Sequence, residues 1–436
     1  MSQLSEKHPP EPGPSATIMD PVVPLHNSDL PKGFRLYGLR SGISSKPGKK
    51  DLALFWSDRP ARAAGVFTKN LFSAAPVQYC QMKLKKSASA RAVVINSGCA
   101  NACTGQQGMA DTVWTAKTLA AGLGLNAQEV LVASTGVIGR HLPRPALGRG
   151  IKMLAAQVKK NVSPSTEDAV HAIMTTDTRP KVARAVAQIG GQPVTIAGMC
   201  KGSGMIHPNM ATMLAIVTTD AAVAPELLQA ALRQAAGRSF NCVSVDGDMS
   251  TNDTLLLLAS GASGVEIAAE GARDAQPATA FEQFVEALTG VCVDLAKQVA
   301  RDGEGATRLI EIRVGGAADE AQAHQVADSI ARSPLFKCAV HGGDPNWGRV
   351  LCAAGYSGAE IDAERLSLSF GHPGGAQVAV VAAGLPLAYA EPDAAALLRE
   401  DPVYVNLDLG LGAAAATVWT CDFSKEYVEI NAHYTT

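Results

Sequence analysis

The stretch KGSGMIHPNMATMLAIVTTD, residues 201–220, constrains the fold more than any other part of the chain. It begins as a glycine-containing loop and continues into the apolar segment Met213–Thr219. A short, continuous apolar run is typical of a strand buried on both faces, so the segment predicts a strand in the middle of a sheet. The pair Ala211-Thr212, a small residue followed by a hydroxyl, stands at the junction of loop and strand.

Thr212 has a side chain that could serve as a nucleophile, but only with help. A hydroxyl is a poor nucleophile at neutral pH unless a base removes its proton. Cleavage of the chain before Thr212 would free an α-amine that can act as that base. Such an amine titrates at about 7.7–8.0, which suits proton transfer near neutral pH. On spacing alone, however, an Ala-Thr pair before an apolar run indicates no more than the start of a strand.

The motif KGSGMIHPNMATML resembles the cleavage-site signature of the bifunctional glutamate N-acetyltransferase/ornithine acetyltransferase family of arginine biosynthesis. Members of that family cut themselves between the Ala and the Thr of ATML, which map to Ala211 and Thr212. The resemblance extends from about residue 33 to residue 436. It implies an α chain, residues 29–211, that carries an oxyanion hole, and a β chain, residues 212–436, that begins with the nucleophile.

The composition is that of an ordinary globular protein. Of 436 residues, 47% are hydrophobic and 18% are charged, and the formal net charge is −2. This balance gives no sign of nucleic acid or an anionic membrane as partner. No apolar run reaches the roughly 18 residues of a spanning helix. The nine cysteines contain no CxxC pair and complete no zinc site, so we expect no metal, reduced thiols and a cytoplasmic location.

Residues 1–28 are expected to form a disordered, Pro-rich tail. The first seventeen residues lack the apolar core of a signal peptide. They also lack the Arg-rich, acid-poor character of an organellar transit peptide. The folded part of the protein should therefore begin after this tail.

Hydrophobic periodicity predicts many strands and several long helices. Because they do not alternate as regular βαβ units, the pattern favours an α+β fold. The resemblance implies a layered α/β sandwich, with sheets buried under helices, that is autoprocessed into two chains. Helices are expected at 111–123, 146–158, 167–174, 225–237, 279–299, 320–331, 347–354 and 394–399. Strands are expected at 33–42, 51–57, 62–67, 75–79, 91–96, 129–133, 181–188, 193–199, 213–219, 241–246, 254–260, 309–314, 366–369, 377–381, 403–408, 414–422 and 427–431.

The element Ser134-Thr135-Gly136 follows a predicted strand and could be a plain turn. In the family that it resembles, the Thr and Gly of this element form the oxyanion hole, which assigns that role to Thr135 and Gly136. A hydroxyl and a backbone N–H held close together can stabilise the charge that develops on the acyl oxygen. Glycine lets the backbone approach closely.

The resemblance also implies a set of substrate-binding residues, each of which has a simpler structural explanation. A hydroxyl-rich run with an Asp is usually a helix end, and a lone lysine or loop acid is usually solvated. Lys201 is expected to meet the carboxylate of an amino-acid substrate, and Glu304 its ammonium group. The complete set expected to bind substrate is Thr175, Lys201, Thr212, Glu304, Asn431 and Thr436.

His207 and the loop 341–349, HGGDPNWGR, are expected to be structural. A threonine that uses its own amine needs no imidazole, so His207 is assigned no chemical role. The glycine-rich loop could bind an anion, but the start of a helix is the simpler interpretation.

The activity that the resemblance implies is acetyl transfer from N-acetylornithine to glutamate through an acetyl-Thr212 enzyme. No cofactor is expected, although acetyl-CoA is a possible second donor. The partners would be N-acetylornithine, glutamate and a second copy of each chain in a heterotetramer. Three alternatives remain open: a monofunctional ornithine acetyltransferase, an N-terminal-nucleophile amidase or peptidase, and a non-catalytic binding protein of similar fold.

Overall fold

A computed structural model describes residues 17–18, 25–207, 213–267 and 279–433 of the chain. Helices and strands are numbered in chain order. The helices are α1 Ala75–Lys86, α2 Gly105–Leu123, α3 Arg144–Lys159, α4 Thr166–Ile173, α5 Pro225–Gly237, α6 Ala280–Arg301, α7 Glu320–Ala331, α8 Pro334–Gly342, α9 Trp347–Gly355, α10 Glu391–Leu397 and α11 Lys425–His433. The strands are β1 Thr17–Ile18, β2 Phe34–Leu39, β3 Leu52–Phe67, β4 Ser89–Cys99, β5 Val130–Val137, β6 Lys181–Ile189, β7 Gln192–Lys201, β8 Leu214–Thr219, β9 Ala222–Val223, β10 Thr254–Ala259, β11 Glu266–Ile267, β12 Leu309–Ala317, β13 Ser367–Phe370, β14 Val378–Ala382, β15 Leu385–Pro386, β16 Val403–Asp408 and β17 Ala414–Cys421.

The larger sheet has nine strands within the described ranges, in the order β1-β6-β7-β8-β10-β3-β4-β5, with β2 paired to β3. Most neighbours are antiparallel, but β8 runs parallel to β10 and β4 runs parallel to β5. β8 thus lies between β7 and β10, and all six of its residues are buried. The prediction of a strand in the middle of a sheet is confirmed.

The two faces of β8 serve two hydrophobic cores. Successive side chains of a strand point to opposite faces of the sheet. Leu214 and Ile216 therefore join the core under α1 to α4, whereas Ala215 and Val217 join the core shared with α5 and α6. Because both faces are covered by helices, the strand is apolar throughout rather than alternating.

The smaller sheet has the order β15-β14-β13-β16-β12-β17 among the strands that the structure describes. The long helix α6 contacts β6 and β7 of the larger sheet and also β12 and β17 of the smaller one. The helices α1 to α4 cover the other face of the larger sheet. The molecule is therefore a layered α/β sandwich with sheets buried under helices, as predicted.

The helix α6 leads into the loop that carries Glu304, one of the predicted site residues. It begins with a capping box, in which Thr279 Oγ1 accepts from the N–H of Glu282 at 3.1 Å and Glu282 accepts in return from the N–H of Thr279 at 2.8 Å. Phe284, Leu288 and Leu295 lie on its buried stripe. The helix ends at Arg301, so the loop that follows begins beside the larger sheet.

The predicted strand at 75–79 is wrong, because these residues begin the helix α1. Pro76 stands in the first helical turn, where the missing N–H costs no hydrogen bond. Val77 and Cys80, three residues apart, are both buried. A short apolar run can belong to a strand or a buried helix, and periodicity alone does not separate them.

Two further strand predictions are wrong. Residues 427–431 belong to the helix α11, and five residues are too few to distinguish the two periods. Residues 241–246 contain the end of a 3-10 turn, Phe240–Cys242, followed by one isolated bridge from Val243 to Trp419. The helix α8 was not predicted, although Ser333 caps it by accepting from the N–H of Phe336 at 3.3 Å.

Two parts of the predicted tail 1–28 are described. Thr17–Ile18 pairs antiparallel with β6, and Asn27–Asp29 forms a 3-10 turn. The Asn27 side chain accepts a hydrogen bond from the N–H of Thr166 at 2.9 Å. Residues 1–16 and 19–24 lie outside the described ranges, so their disorder stays a prediction. No helix in the described part of the chain is both long and apolar enough to cross a bilayer.

Candidate active site

A cavity of about 160 Å³ lies where the ends of several strands meet the loop after α6 and the helix α11. Met213, which directly follows the predicted nucleophile in the sequence, lines it. Thr212 itself, Ala211 and Thr436 lie outside the described residues. The predicted site residues that line the cavity are Thr135, Gly136, Thr175, Lys201, Glu304 and Asn431.

Gly136 stands near the end of β5 in a conformation that only glycine adopts easily. Its φ is +127°, and an added Cβ would lie 2.4 Å from the carbonyl carbon of Gly98 on β4. The neighbouring Thr135 is largely buried and lines the cavity. A hydroxyl and a closely packed glycine backbone thus occur side by side on the cavity wall near the end of β5.

The end of β5 is held by side-chain amides. Asn252 Nδ2 donates to the carbonyl oxygens of Ala100 and Ser134, both at 2.7 Å. Ser134 Oγ donates to Asn96 Oδ1 on β4, also at 2.7 Å. Asn252 is buried and lines the cavity. No sequence pattern predicted it as a site residue. These bonds fix the backbone of β5 directly before Thr135.

Lys201 is the last residue of β7 and pairs with Leu214, the first residue of β8. It is 8% exposed and lines the cavity. Within the described part of the chain, its ammonium group has no hydrogen bond and no ion pair. A buried ammonium without a hydrogen bond or close ion pair favours binding of an anionic group, and a carboxylate from a ligand supplies one.

Glu304 brings a negative charge to the same cavity and is 7% exposed. Its Oε2 accepts a hydrogen bond from Asn431 Nδ2 at 2.9 Å. Gly204 leaves room for this carboxylate, since a Cβ on Gly204 would lie 2.3 Å from Oε2. Asn431 also bonds the carbonyl oxygen of Tyr427 within α11, at 3.0 Å. The C-terminal helix is therefore part of the cavity wall.

A buried ion cluster lies beside the cavity. Asp177 accepts hydrogen bonds from the N–H of Thr175 at 2.9 Å and from Lys181 Nζ at 2.7 Å. Lys181 Nζ also bonds Asp302. Burial raises the pKa of Asp177, but the ammonium groups of Lys181 and Lys201 outweigh it and hold this pKa well below its usual range. Burial lowers the pKa of Lys181, and the two carboxylates raise it above its usual value.

Three aspartates line the cavity, namely Asp246, Asp248 and Asp253. Asp253 is fully buried, and its Oδ2 has no hydrogen-bond partner among the described residues. Burial raises the pKa of Asp253 well above its usual value. Asp246 accepts from the N–H groups of Met205 at 2.6 Å and Ile206 at 2.8 Å, and burial raises its pKa also. Sequence spacing identified none of the three aspartates, because none of them matches a motif.

The residues that were predicted to be structural lie away from the cavity. His207 is placed beside Asp328 of α7, with 3.6 Å between Nδ1 and Oδ1, and does not line the cavity. Of residues 341–349, the first two end α8, and the short turn that follows leads into α9 at Trp347, whose N-cap is Asn346. The interpretation of this segment as the start of a helix is confirmed. Among the residues that the structure describes, no group of three His, Cys, Asp or Glu residues could hold a metal ion.

The fold and the cavity define a layered α/β protein with a small, amphoteric binding site. The chain matches the family model of the ArgJ family over residues 35–436. It is 48% identical over 407 residues to the arginine biosynthesis bifunctional protein ArgJ of Symbiobacterium thermophilum, covering 93% of this chain and 98% of that protein. The chain belongs to the ArgJ family.

Two solved structures are also similar. A chain of the arginine biosynthesis bifunctional protein ArgJ of Bacillus halodurans is 41% identical, with a TM-score of 0.46, and the match covers 50% of this chain and 98% of that chain. A chain of the ornithine acetyltransferase complexed with ornithine from Mycobacterium tuberculosis is 40% identical, with a TM-score of 0.38, and the match covers 43% of this chain and 98% of that chain.

Proposed function

We propose that this protein transfers an acetyl group from N-acetylornithine to glutamate and releases ornithine and N-acetylglutamate. The observation that carries the proposal is that the Lys201 ammonium, which has no hydrogen bond or ion pair among the described residues, and the Glu304 carboxylate line one cavity. N-acetylornithine carries one carboxylate and one ammonium group at neutral pH, so the cavity offers each a partner of opposite charge. The name of the relatives, bifunctional proteins of arginine biosynthesis, supports the same activity.

The first half-reaction forms an acetyl-enzyme. Thr212 Oγ attacks the acetyl carbonyl carbon of N-acetylornithine, and the α-amine of Thr212 takes the hydroxyl proton. The Thr135 hydroxyl and the Gly136 N–H stabilise the oxyanion. When the intermediate collapses, the bond between the acetyl carbon and the nitrogen breaks, and the proton passes from the Thr212 amine to the departing ornithine.

The second half-reaction reverses the first with a different amine. The α-amine of glutamate attacks the acetyl-Thr212 ester, and the same oxyanion donors act again. N-acetylglutamate leaves, and Thr212 recovers its proton. No cofactor takes part, although acetyl-CoA serves as a second acetyl donor to Thr212. Acetylation of glutamate from acetyl-CoA would separate this protein from a monofunctional ornithine acetyltransferase.

Activation of Thr212 requires cleavage between Ala211 and Thr212, which divides the chain near its middle. The purified protein should give two bands on a denaturing gel, and sequencing of the C-terminal fragment should begin at Thr212. Thr212→Ala should give one full-length band and no acetyl transfer. A single full-length band from the unmutated protein would contradict the proposal.

One assay separates the proposed activity from its rivals. The protein is incubated with N-acetylornithine and glutamate, and in parallel with a peptide substrate. A transferase forms N-acetylglutamate only when both amino-acid substrates are present. A peptidase or amidase hydrolyses the peptide without an acceptor, and a binding protein turns over neither. We further propose a heterotetramer of two α and two β chains in the cytoplasm, which sedimentation and cell fractionation test.

A further inference from the structure

We infer that Lys181 is a positioning residue for substrate binding, because it bridges Asp177 and Asp302 and thereby fixes the Lys201 and Glu304 parts of the cavity to each other. The inference rests on the proposed function, since it concerns how the two charged partners of N-acetylornithine are held. It assigns a role in substrate binding to Asp177, Lys181 and Asp302, none of which lines the cavity.

One arm of the bridge holds the segment with Lys201. Asp177 Oδ1 accepts from the N–H of Gly202, the residue after Lys201, at 2.7 Å. Asp177 Oδ2 accepts from the N–H of Thr175 at 2.9 Å. Thr175 and Lys201 both line the cavity, so one carboxylate fixes the backbone at two points of the wall. Lys181 Nζ lies 2.7 Å from that carboxylate.

The other arm holds the segment with Glu304. Asp302 accepts a hydrogen bond from Lys181 and one from the N–H of Thr178, the latter at 3.1 Å. The carbonyl oxygen of Asp302 accepts from Ser203 Oγ at 2.7 Å. The carbonyl oxygen of Ser203 in turn accepts from the N–H of Glu304 at 2.9 Å. The backbone around Glu304 is therefore tied to the segment that follows Lys201.

The bridge is isolated from solvent, so it is not a surface ion pair. The side chain of Lys181 is 1% exposed, and those of Asp177 and Asp302 are 0% and 4% exposed. In such a position the ammonium stabilises both carboxylates, and each carboxylate stabilises the ammonium. The geometry leaves little freedom for either arm to move relative to the other.

The bridge also crosses the predicted cleavage point. Asp177 and Lys181 belong to the proposed α chain, and Asp302 belongs to the proposed β chain. After cleavage no peptide bond joins these two parts, so the distance between the Lys201 and Glu304 segments depends on non-covalent contacts. A buried ion bridge resists both sliding and rotation better than apolar contacts, which are not directional.

The test compares two buried carboxylates that are equally exposed. Asp302→Asn removes one arm but leaves Lys181 paired with Asp177, so no buried charge loses its only partner. Glu311→Gln is the matched control: Glu311 is also 4% exposed and accepts from Trp419 Nε1 at 3.0 Å, but it does not line the cavity. Steady-state kinetics with N-acetylornithine and thermal unfolding are measured for both variants.

Asp302→Asn should raise KM for N-acetylornithine about tenfold, the effect of one lost hydrogen bond between charged groups, with a much smaller change in kcat. Glu311→Gln should lower the melting temperature but leave KM unchanged. Asp177→Asn should resemble Asp302→Asn, because it cuts the other arm. An unchanged KM in Asp302→Asn, or an equal rise in Glu311→Gln, would overturn the inference.

The two hypotheses fail in different ways. If the proposed function is wrong, the unmutated protein transfers no acetyl group. If only the positioning role is wrong, the unmutated protein is active and the variants keep its KM. Calorimetric titration with ornithine provides the same comparison without turnover: the bridge variants should bind ornithine about tenfold more weakly, and the Glu311→Gln control should bind it normally.

Discussion

The two sides of the cavity are held in place by different forces. On one side, Thr135 and Gly136 belong to β5, where backbone pairing with β4 and the Asn252 amide fix the main chain. On the other side, Glu304 stands in a loop and bonds Asn431 of the helix α11. The first side depends on close backbone packing, and the second depends on charged and amide side chains.

This difference predicts two kinds of sensitivity. On the strand side, added volume should be damaging, because an interior packed to crystal-like density cannot accept an extra atom. On the loop side, volume should matter less than charge, because the recognition of an ammonium group requires a carboxylate. The strand side should therefore control turnover, and the loop side should control affinity.

Gly136→Ala should cause the largest loss. A Cβ there would lie 2.4 Å from the Gly98 backbone, so β4 and β5 must separate and the oxyanion donors must move. A displacement of this size should lower kcat on the order of 10³-fold. Acetyl-transfer kinetics measure the effect.

Gly139→Ala is the control for this prediction. Gly139 also has a positive φ, +78°, but its Cβ would meet no atom within 4 Å. The Gly139→Ala variant therefore has backbone strain but no steric clash with a neighbouring strand, and it should keep most of the activity. Equal losses in the two variants would mean that strain, and not packing against β4, explains the requirement for glycine.

Thr135→Ala should lower kcat by about 10²-fold, the usual cost of one oxyanion donor, with a smaller change in KM. Thr135→Ser keeps the hydroxyl and should retain much of the activity. If Thr135→Ala alters only KM, the hydroxyl contacts the ground-state substrate, and its assignment to the oxyanion hole is wrong.

Glu304→Gln tests the opposite side of the comparison. It keeps the volume and removes the charge, so KM for N-acetylornithine should rise on the order of tenfold to a hundredfold. Self-cleavage involves no ornithine and should be normal on a denaturing gel. Glu429→Gln changes an exposed acid on the same helix as Asn431 and should have no effect on either measurement. A normal acetyl-transfer rate in Glu304→Gln would show that Glu304 does not bind the substrate.

The strand side of the cavity was largely predictable from the sequence. A buried strand is encoded by a local apolar run, and the element Ser134-Thr135-Gly136 follows such a run directly. The central position of β8 followed from its apolar residues on both faces. Local patterns suffice here because the same few residues determine the strand and the position of its end.

The loop side was only partly predictable, because its contacts join distant residues. Lys181 and Asp302 are 121 positions apart, and no local spacing encodes their ion pair. The segment 427–431 was predicted as a strand, because five residues give too little periodicity. Glu304 and Asn431 were expected from motif resemblance, but the hydrogen bond between them appears only in three dimensions.

Asn431→Ala should have a smaller effect than Glu304→Gln. It removes the 2.9 Å hydrogen bond to Glu304 Oε2 but leaves the negative charge in the cavity. Loss of one partly exposed hydrogen bond should raise KM for N-acetylornithine about fivefold. Asn431→Asp should be worse, because it places a second carboxylate against Glu304. If Asn431→Asp behaves as Asn431→Ala does, the two side chains are not in contact in the active protein.

Asp253→Asn should have the smallest effect, and on stability rather than on turnover. Because burial raises the pKa of Asp253 in the folded protein, ionisation of its carboxyl group costs more free energy in the folded protein than in the unfolded chain. The cost is absent below the unfolded pKa, near 3.9, and grows as pH rises toward the folded pKa. Asparagine mimics the protonated form without this cost. Asp253→Asn should therefore raise the melting temperature by about 2 °C at pH 7.5 and by less at pH 5, as thermal unfolding at the two pH values would measure. A gain that is equal at both pH values, or a loss that grows with pH, would contradict a pKa of Asp253 that is raised well above its usual value.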